Sequence, residues 1–432
     1  MKRGFHAWRI GRPRAAVLLL LVAAAPPASC GGKEPLVKQI SSISVQGFGD
    51  PVLEDLCSDE LVLLNPVRVA DEHPSLRLWN LETERAVLEV PMEAWFKQAS
   101  AIQQAGVPPD SGPFRCLDGG MRVVALQGNY LVLIDMRKGG EVLRVLPSPD
   151  LNSAPPPLQN VMWRITHRTL ALSPDHRLVA AAYNWGIKPR VFLYTADLRT
   201  AVLSWELPRY LQDICWSPDG QKLAVLYSGG FDANNTFVGA SQGFKLTGIP
   251  DVQVFDASSG KSLLRFFSGG VEAQLAFSPD GTRLYTISPA RYNRPTSKEA
   301  AIRVFSASEG ALLRTISFPR YQLRNGFAIS PDGRLIVADA STPAPYFFFK
   351  EMFAEGAFYR KHARFVIADA QTGRLLFTHD EITPGEGSPM RFAFSRDGSR
   401  LVVDPDFYWG RFDPVEVYSL DALRRALIRR GG

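Results

Sequence analysis

The amino-acid sequence predicts an all-β protein made of small antiparallel sheets that repeat along the chain, and two recurring phrases carry the prediction. The first phrase, LAFSPDG at 275–281, alternates apolar residues up to Ser-Pro-Asp-Gly. Such alternation is typical of a half-buried strand. Pro and Asp suit the middle of a tight turn, and Gly supplies the positive φ that ends it. A second apolar run follows, so the phrase predicts a β-hairpin.

This hairpin phrase occurs five times. Besides 275–281, clear copies stand at 214–220 and 327–333. Two weaker copies have His176 in place of Gly and Arg396 in place of Pro. Because the Asp recurs in each copy, we assign it to turn structure and not to acid–base catalysis.

The second phrase, VQVFDASSGKSLLRF at 252–266, is a strand, a polar turn that usually contains Gly, and another strand. It occurs six times in full and once as a half-copy. Its equivalent positions lie 50 to 63 residues apart and are Asn80, Asp135, Thr195, Asp256, Ser306, Asp369 and Ser419. Four short strands per step, with a loose period, predict a ring of small antiparallel sheets that bury both faces against their neighbours.

The SPDG hairpins resemble those of the WD-repeat-like β-propellers, over about residues 40–420. The resemblance implies a seven-bladed β-propeller of four-stranded antiparallel blades. The Trp-Asp dipeptide is nearly absent and the Gly-His signature is missing, so the resemblance is to the broader WD-like class. An open β-solenoid or a sandwich is the alternative fold. Since the first two blades show only the second phrase, six and eight blades are alternatives to seven.

The two ends of the repeat region predict how the ring closes. The half-copy VEVYSLDAL at 415–423 suits the third strand of a blade, and no good fourth strand follows it. An extra strand, KQISSISVQG at 38–47, precedes the first blade. We expect this N-terminal strand to complete the last blade, which would remove the exposed sheet edges. The propeller then spans 38–420, and 421–432 is a basic tail or short helix that we expect to be solvated.

The N-terminus predicts export. Residues 1–14 carry five positive charges and no acid, and 15–25 are an apolar run too short to span a bilayer but suited to the core of a signal peptide. Ala28 and Ser29 before Cys30 resemble the bacterial lipobox, although Pro27 stands where an aliphatic residue is usual. The resemblance implies a signal peptide over 1–29, a lipidated Cys30 and a tether over 30–37. Ordinary cleavage near Ala28, with an incidental Cys30, is the alternative.

The charge of the chain gives no reason to expect nucleic-acid binding. The net charge is +6, but five positive charges lie in residues 1–14 and the last 12 residues contribute a further +3, which leaves the body at −2. Because the body is close to neutral, the pI near 9 is not evidence for nucleic-acid binding, and we expect no nucleic-acid partner. We expect a monomer in the bacterial cell envelope, anchored by lipid in the outer membrane or facing the periplasm.

Three cysteines remain besides Cys30. Cys57 and Cys116 lie just before the first hairpin turns of consecutive blades, and export permits their oxidation. A disulfide between them is one interpretation, and two small buried hydrophobic side chains is the other. Cys215, next to Trp216, is expected in the core.

Signatures of catalysis are absent from the sequence. The six histidines show no metal-binding spacing, no GxSxG motif surrounds a serine, and no phosphate-binding loop is present. We therefore expect no metal and no cofactor. The absence of these signatures favours a binding protein over an enzyme. A lactonase-like or hydrolase-like propeller with a site at the central channel is the alternative, because scattered site residues leave little trace in one sequence.

Loop lengths predict where binding occurs. Turns within each hairpin are short, whereas the long segments join the second strand to the third or one blade to the next, so they fall on one face of a propeller. Two long segments, 341–363 and 405–413, are rich in aromatic residues, which are enriched at binding hot spots. The predicted binding residues are Tyr346, Phe347, Phe349, Phe353, Tyr359, Arg360, Phe407, Tyr408, Trp409 and Arg411. Inward packing of these aromatic residues is the alternative. The predicted function is a protein- or peptide-binding scaffold.

Overall fold

The fold is a seven-bladed β-propeller. A computed structural model describes residues 36–43, 51–58, 61–66, 75–98, 113–127, 130–147, 169–183, 189–208, 211–227, 250–269, 273–289, 300–341, 359–384, 391–404 and 415–431. Within these ranges 28 strands form seven four-stranded antiparallel sheets, which are the blades. The predicted fold class and blade count are confirmed.

Every blade orders its strands from the central channel outwards. The first strands are β2 (Pro51–Leu56), β6 (Phe114–Leu117), β10 (Leu170–Leu172), β14 (Leu211–Trp216), β18 (Gln274–Phe277), β22 (Gln322–Ile329) and β26 (Arg391–Phe394). The second strands are β3 (Leu61–Pro66), β7 (Arg122–Gln127), β11 (Leu178–Tyr183), β15 (Lys222–Tyr227), β19 (Arg283–Ser288), β23 (Leu335–Ser341) and β27 (Arg400–Asp404).

The outer half of each blade is the second sequence phrase. The third strands are β4 (Ser75–Asn80), β8 (Tyr130–Asp135), β12 (Arg190–Thr195), β16 (Val252–Asp256), β20 (Ala301–Ser306), β24 (Tyr359–Asp369) and β28 (Val415–Ser419). The fourth strands are β5 (Arg85–Pro91), β9 (Glu141–Pro147), β13 (Ala201–Glu206), β17 (Ser262–Phe266), β21 (Leu312–Ile316), β25 (Leu375–Pro384) and β1 (Lys38–Ile43). Each third strand ends at one of the seven equivalent positions found in the sequence.

The SPDG turns are held by side-chain hydrogen bonds within the motif. In blade 6, Ser330 Oγ donates to Asp332 Oδ1 (2.6 Å) and accepts from the Leu335 amide (2.8 Å). The Gly333 amide donates to the Ser330 carbonyl oxygen at 2.8 Å, and Gly333 has a φ of 69°. His176, at the matching position of blade 3, adopts a φ of 56°, so the turn keeps its shape without glycine.

Successive SPDG turns contact one another around the ring. A Cβ placed on Gly220 would lie 3.7 Å from Pro174 of the preceding blade, and the glycines of the next three turns face a proline in the same way. The turns of blades 3 to 7 therefore form one continuous arc on a single face of the propeller.

The ring closes through the N-terminal strand, as the sequence predicts. β1 pairs antiparallel with β28, with Ile43 opposite Val415 and Lys38 opposite Ser419. Ile43 and Val415 are buried in a cluster that includes Leu53 of blade 1. The first strands of blades 1 and 7 are also neighbours, so the inner ring has no gap.

Two α-helices within the described ranges pack on the propeller. α1 (Met92–Gln98) follows β5 and buries Trp95 against Phe114, with ring centroids 6.4 Å apart. α2 (Asp421–Gly431) follows β28. Its Leu423 is buried, so the expectation of a solvated tail is wrong for the first turn of this helix.

Ring closure generates a test within one strand. Ile43→Ala should lower the free energy of unfolding by about 2–4 kcal/mol, because the residue is 1% exposed and its truncation leaves a cavity. Ile40→Ala, in the same strand but 44% exposed, should change it by less than about 0.5 kcal/mol. Denaturant unfolding of both variants measures the difference, and equal losses would show that β1 does not seal the ring.

Candidate functional site

The long connections lie on the face opposite the SPDG turns. Strand directions alternate in an antiparallel blade, so the first-to-second and third-to-fourth turns share one face, and the remaining connections share the other. The predicted binding residues Tyr346, Phe347, Phe349, Phe353, Phe407, Tyr408, Trp409 and Arg411 lie outside the described residues, as does Cys30. Their grouping stays a prediction.

Tyr359 and Arg360 lie in a strand and not in the predicted loop. β24 begins at Tyr359, and its first residues pair with the end of β25, where Tyr359 is opposite Pro384. β23 pairs with β24 only as far as Phe365, so 359–364 and 380–384 pair only with each other and form a two-stranded arm. Six residues of strand extend about 20 Å. The arm projects on the long-connection face and receives segment 342–358 at its far end.

An aromatic and polar network supports the base of the arm. Phe365 stacks on His379, with ring centroids 5.0 Å apart, and meets Tyr418 of blade 7 edge to face at 5.3 Å. Tyr418 Oη donates to Glu416 Oε2 (2.6 Å) and lies 3.2 Å from His379 Nε2. Tyr418 is 2% exposed, so these contacts are shielded from water. The arm is therefore connected to the third strand of the closing blade.

A cluster of polar side chains lies on the inner strands where blade 7 meets blade 1. Both backbone polar groups of Leu53 are bound by blade 7: its amide donates to Asp404 Oδ2 (3.1 Å), and its carbonyl oxygen accepts from Arg391 Nη1 (2.7 Å). Arg391 Nη1 is also 3.3 Å from Glu54 Oε1, and the Glu54 side chain is 4% exposed.

The junction of blades 1 and 2 has the same design. Asp55 Oδ2 accepts from the Cys116 amide (2.8 Å), and Glu54 Oε2 accepts from the Phe114 amide (3.3 Å). Arg115 Nη1 donates to the Glu54 carbonyl oxygen at 3.1 Å. The structure also joins Cys57 to Cys116 as a disulfide, with their Cα atoms 5.2 Å apart. That is within the range a disulfide requires.

These links recur at other junctions and have a structural cause. Asp213 Oδ2 accepts from the Leu275 amide (2.9 Å), and Gln274 Oε1 accepts from the Phe327 amide (3.0 Å). The first strand of a blade has one edge without a strand partner, and its buried amides still need acceptors. A polar side chain from the preceding blade supplies one. The sequence does carry a signal of this use, because each of these residues is a charged or amide side chain inside an otherwise apolar first strand.

Burial changes the acidity of this cluster. It raises the pKa of Asp404 to about 7, opposed by the positive charge of Arg391 and the Leu53 amide and assisted by the charge of Glu54. Burial also raises the pKa of Asp55, against the lowering effect of Arg115. The turn aspartates show the opposite behaviour: in Asp219, the Ser217 hydroxyl holds the pKa below its usual value.

The residues that the structure describes include no group of three or more His, Cys, Asp or Glu placed to hold a metal ion. Over the same part of the chain, no helix has the length and apolar character needed to cross a membrane.

Comparison with known proteins supports the fold. The chain is similar to the β-propeller domain of Cps50 (Swd1) from Myceliophteria thermophila, with a TM-score of 0.53 at 13% identity, over 89% of this chain and 99% of that one. Hydrazine synthase from Kuenenia stuttgartiensis is also similar, with a TM-score of 0.47 at 15% identity, over 66% of this chain and 71% of that one. No protein-family model and no curated protein sequence matches. The likeness to the Swd1 domain concerns the propeller fold alone.

The raised pKa of Asp404 predicts how the free energy of unfolding depends on pH. Its raised pKa means that, between about pH 4 and 7, the folded chain holds a proton that the unfolded chain has released, so the contribution of this carboxyl to stability is greatest below about pH 4 and is lost as pH rises to about 7. Asp404→Asn should remove this fall, which is on the order of 2–4 kcal/mol. The measurement is the free energy of unfolding of parent and variant from pH 5 to 8.

Asp397 offers a control of opposite sign. The Ser399 amide, with the hydroxyls of Ser395 and Ser399, lowers the pKa of Asp397 to about 2. Its contribution is present above about pH 4 and lost only in stronger acid, so Asp397→Asn should leave the slope between pH 5 and 8 unchanged. Equal slopes for the parent and Asp404→Asn would contradict the assignment.

The disulfide is tested by intact mass. Protein purified without reductant should weigh two hydrogen atoms less than the reduced chain. Replacing both Cys57 and Cys116 by Ala should cost about 2–4 kcal/mol of stability, because the bond closes a long loop across two blades. An unchanged mass on reduction would show two thiols in the native protein.

Proposed function

We propose that this protein is an exported, membrane-anchored β-propeller that binds a protein or peptide on its long-connection face. The observation that carries the proposal is the arm formed by β24 and β25. The other third strands span five or six residues, whereas β24 spans 11 and β25 spans 10. A two-stranded arm that pairs with no other strand of its blade adds nothing to the ring itself. Segments displayed in this way commonly carry recognition.

The composition of the neighbouring segments supports a binding role. The arm receives the aromatic segment 342–358, and β28 of the next blade receives the aromatic segment 405–414. The base of the arm contacts that same blade through Phe365, His379 and Tyr418. Two aromatic segments thus attach to adjacent blades that are packed together. Tyr and Trp are enriched among the few residues that carry most of the binding energy at protein interfaces.

The opposite face offers less for recognition. Its SPDG turns are short and locked by internal hydrogen bonds, and those of blades 3 to 7 contact one another around the ring. The Asp of these turns is already bound to its own motif. We therefore assign partner binding to the long-connection face.

Anchoring completes the proposal. Cys30, preceded by a signal-peptide pattern and by Ala28 and Ser29, would be lipidated and would hold the propeller at a membrane of the cell envelope. The intact mass of the native protein tests this directly. Removal of residues 1–29 lowers the mass by that of the signal peptide, and lipidation of Cys30 raises it by that of the attached lipid.

The binding role is tested by capture from native membranes in mild detergent. The baits are the tagged mature protein, a variant with Phe347, Tyr408 and Trp409 changed to Ala, and a control with Phe267 changed to Ala. Phe267 is an exposed aromatic residue (52%) just after the outer strand of blade 4, a blade that is adjacent neither to blade 6, which carries the arm, nor to blade 7. All three baits must melt at the same temperature.

A captured protein is then purified and its Kd measured with each bait. We expect the loop variant to bind at least about tenfold more weakly, because aromatic hot-spot residues cost more than about 1 kcal/mol each, and the Phe267→Ala control to bind like the parent. Equal affinity for all three baits would place the partner elsewhere on the molecule.

Channel chemistry is a second candidate function, and one observation favours it: a buried carboxyl whose pKa is close to neutral, Asp404, next to Arg391. Perturbed acids of this kind cluster at active sites. A panel of lactones and esters tests it. Turnover that is lost in Asp404→Asn and kept in Asp213→Asn would support it, and a parent without turnover would exclude these substrate classes.

A further inference from the structure

We infer that the outer strand of the closing blade and the C-terminal helix together form a surface that lies against anionic phospholipid. This β1–α2 surface consists of Leu36, Lys38, Ile40 and Arg425. The inference rests on the proposed lipidation of Cys30 and names the side of the propeller that faces the bilayer.

Covalent connection brings this side to the membrane. Only five residues separate Cys30 from Leu36, and a chain of this length reaches at most about 20 Å. A lipid on Cys30 therefore keeps Leu36, and the strand that begins two residues later, close to the headgroups.

The strand presents apolar side chains to the outside at this position. Leu36 is 42% exposed and Ile40 is 44% exposed, while Val37 between them is buried in the blade. β1 is the outermost strand of its blade, so these side chains stand at the rim of the disc. Isolated aliphatic side chains next to basic ones are typical of contact with the headgroup region of a bilayer.

The helix adds positive charge to the same place. The Leu423 amide donates to the Leu36 carbonyl oxygen at 3.1 Å, which fixes the first turns of α2 against the start of β1. Leu423 faces the core and Arg425 is exposed to solvent. Lys38 is exposed on the strand.

The positive charge of α2 and the small number of exposed aliphatic side chains favour a bilayer over a folded protein as the partner of this surface. The same helix contains Arg429 and Arg430, so four arginines accompany one acid, Asp421, over 11 residues. Anionic lipid attracts basic residues held near its surface, and each one adds to the affinity. Two aliphatic side chains are too few for a protein interface but suit shallow insertion.

The experiment separates this surface from the anchor by using the mature chain, residues 30–432, with Cys30→Ala, which has neither the basic and apolar segment 1–25 nor a thiol to lipidate. Binding is measured by cosedimentation with phosphatidylcholine vesicles with or without about 30% phosphatidylglycerol. We expect binding at least about tenfold tighter to the anionic vesicles, and weaker binding as salt is added. No preference for the anionic vesicles would overturn the inference.

Two matched variants of that chain locate the surface. One carries Leu36→Ser, Lys38→Glu, Ile40→Ser and Arg425→Glu, and should lose the anionic preference. The control carries the same changes on the rim of blades 4 and 5, where Lys261, Leu263, Arg265 and Leu313 are also exposed, and should bind like its parent. Loss of binding in the control alone, or unchanged binding in the first variant, overturns the inference.

Folding and anchoring are checked separately. If the first variant melts at a lower temperature, the exposed single changes Lys38→Glu and Arg425→Glu replace it, and each should weaken anionic binding about threefold; no effect from either would overturn the inference. A native mass without acyl chains would contradict the proposed anchor while leaving the vesicle result to judge the surface.

Discussion

The pairing of β1 with β28 joins the two ends of the propeller, and every blade depends on it because a four-stranded sheet is covered on both faces only while the ring is complete. Ile43 and Val415 form one end of this ladder and are buried against blade 1. The strand that comes first in the chain thus supplies the outer edge of the last blade. Without it, blade 7 would expose the edge of β28, and blades 1 and 7 would lack one neighbour each.

Closure leaves a second requirement at the inner edges of the blades. Each first strand has one side without a strand partner, and its buried amides must find acceptors elsewhere. Asp55, Asp213 and Gln274 meet this need from the preceding blade. At the junction of blades 7 and 1, Asp404 and Arg391 bind both backbone groups of Leu53.

Blade 1 shows how the molecule compensates for a missing motif. It lacks the SPDG turn, and so has no proline and glycine contact of the kind that connects blades 3 to 7. Its neighbours hold it instead through Glu54, Asp55 and the Cys57–Cys116 bond. Blade packing therefore accounts for these buried polar side chains, which resemble an active site. For this reason we base the proposed partner binding on the arm and the aromatic segments of the long-connection face.

The two faces of the propeller differ in the length of the connections that they carry. The turns on one face are short because hydrogen bonds within four or five residues determine their shape. The connections on the other face are longer in the sequence, and in blade 6 two of the strands form an arm that pairs with no other strand. The base of that arm packs on blade 7 through Phe365 and Tyr418, so it is held where it leaves the ring.

The amino-acid sequence by itself determined the class of fold, the seven blades, the ends of the third strands and the closing strand. These features follow from local chemistry: alternating apolar residues, turn residues such as Ser330 and Asp332, and a leftover strand at each end. Only the tertiary structure decided that Asp404 meets Leu53, 351 positions away, that Leu423 packs beside Leu36, and that Tyr359 begins a strand. Such features depend on which segments become neighbours after the ring closes. The spacing of residues along the chain does not specify these neighbours.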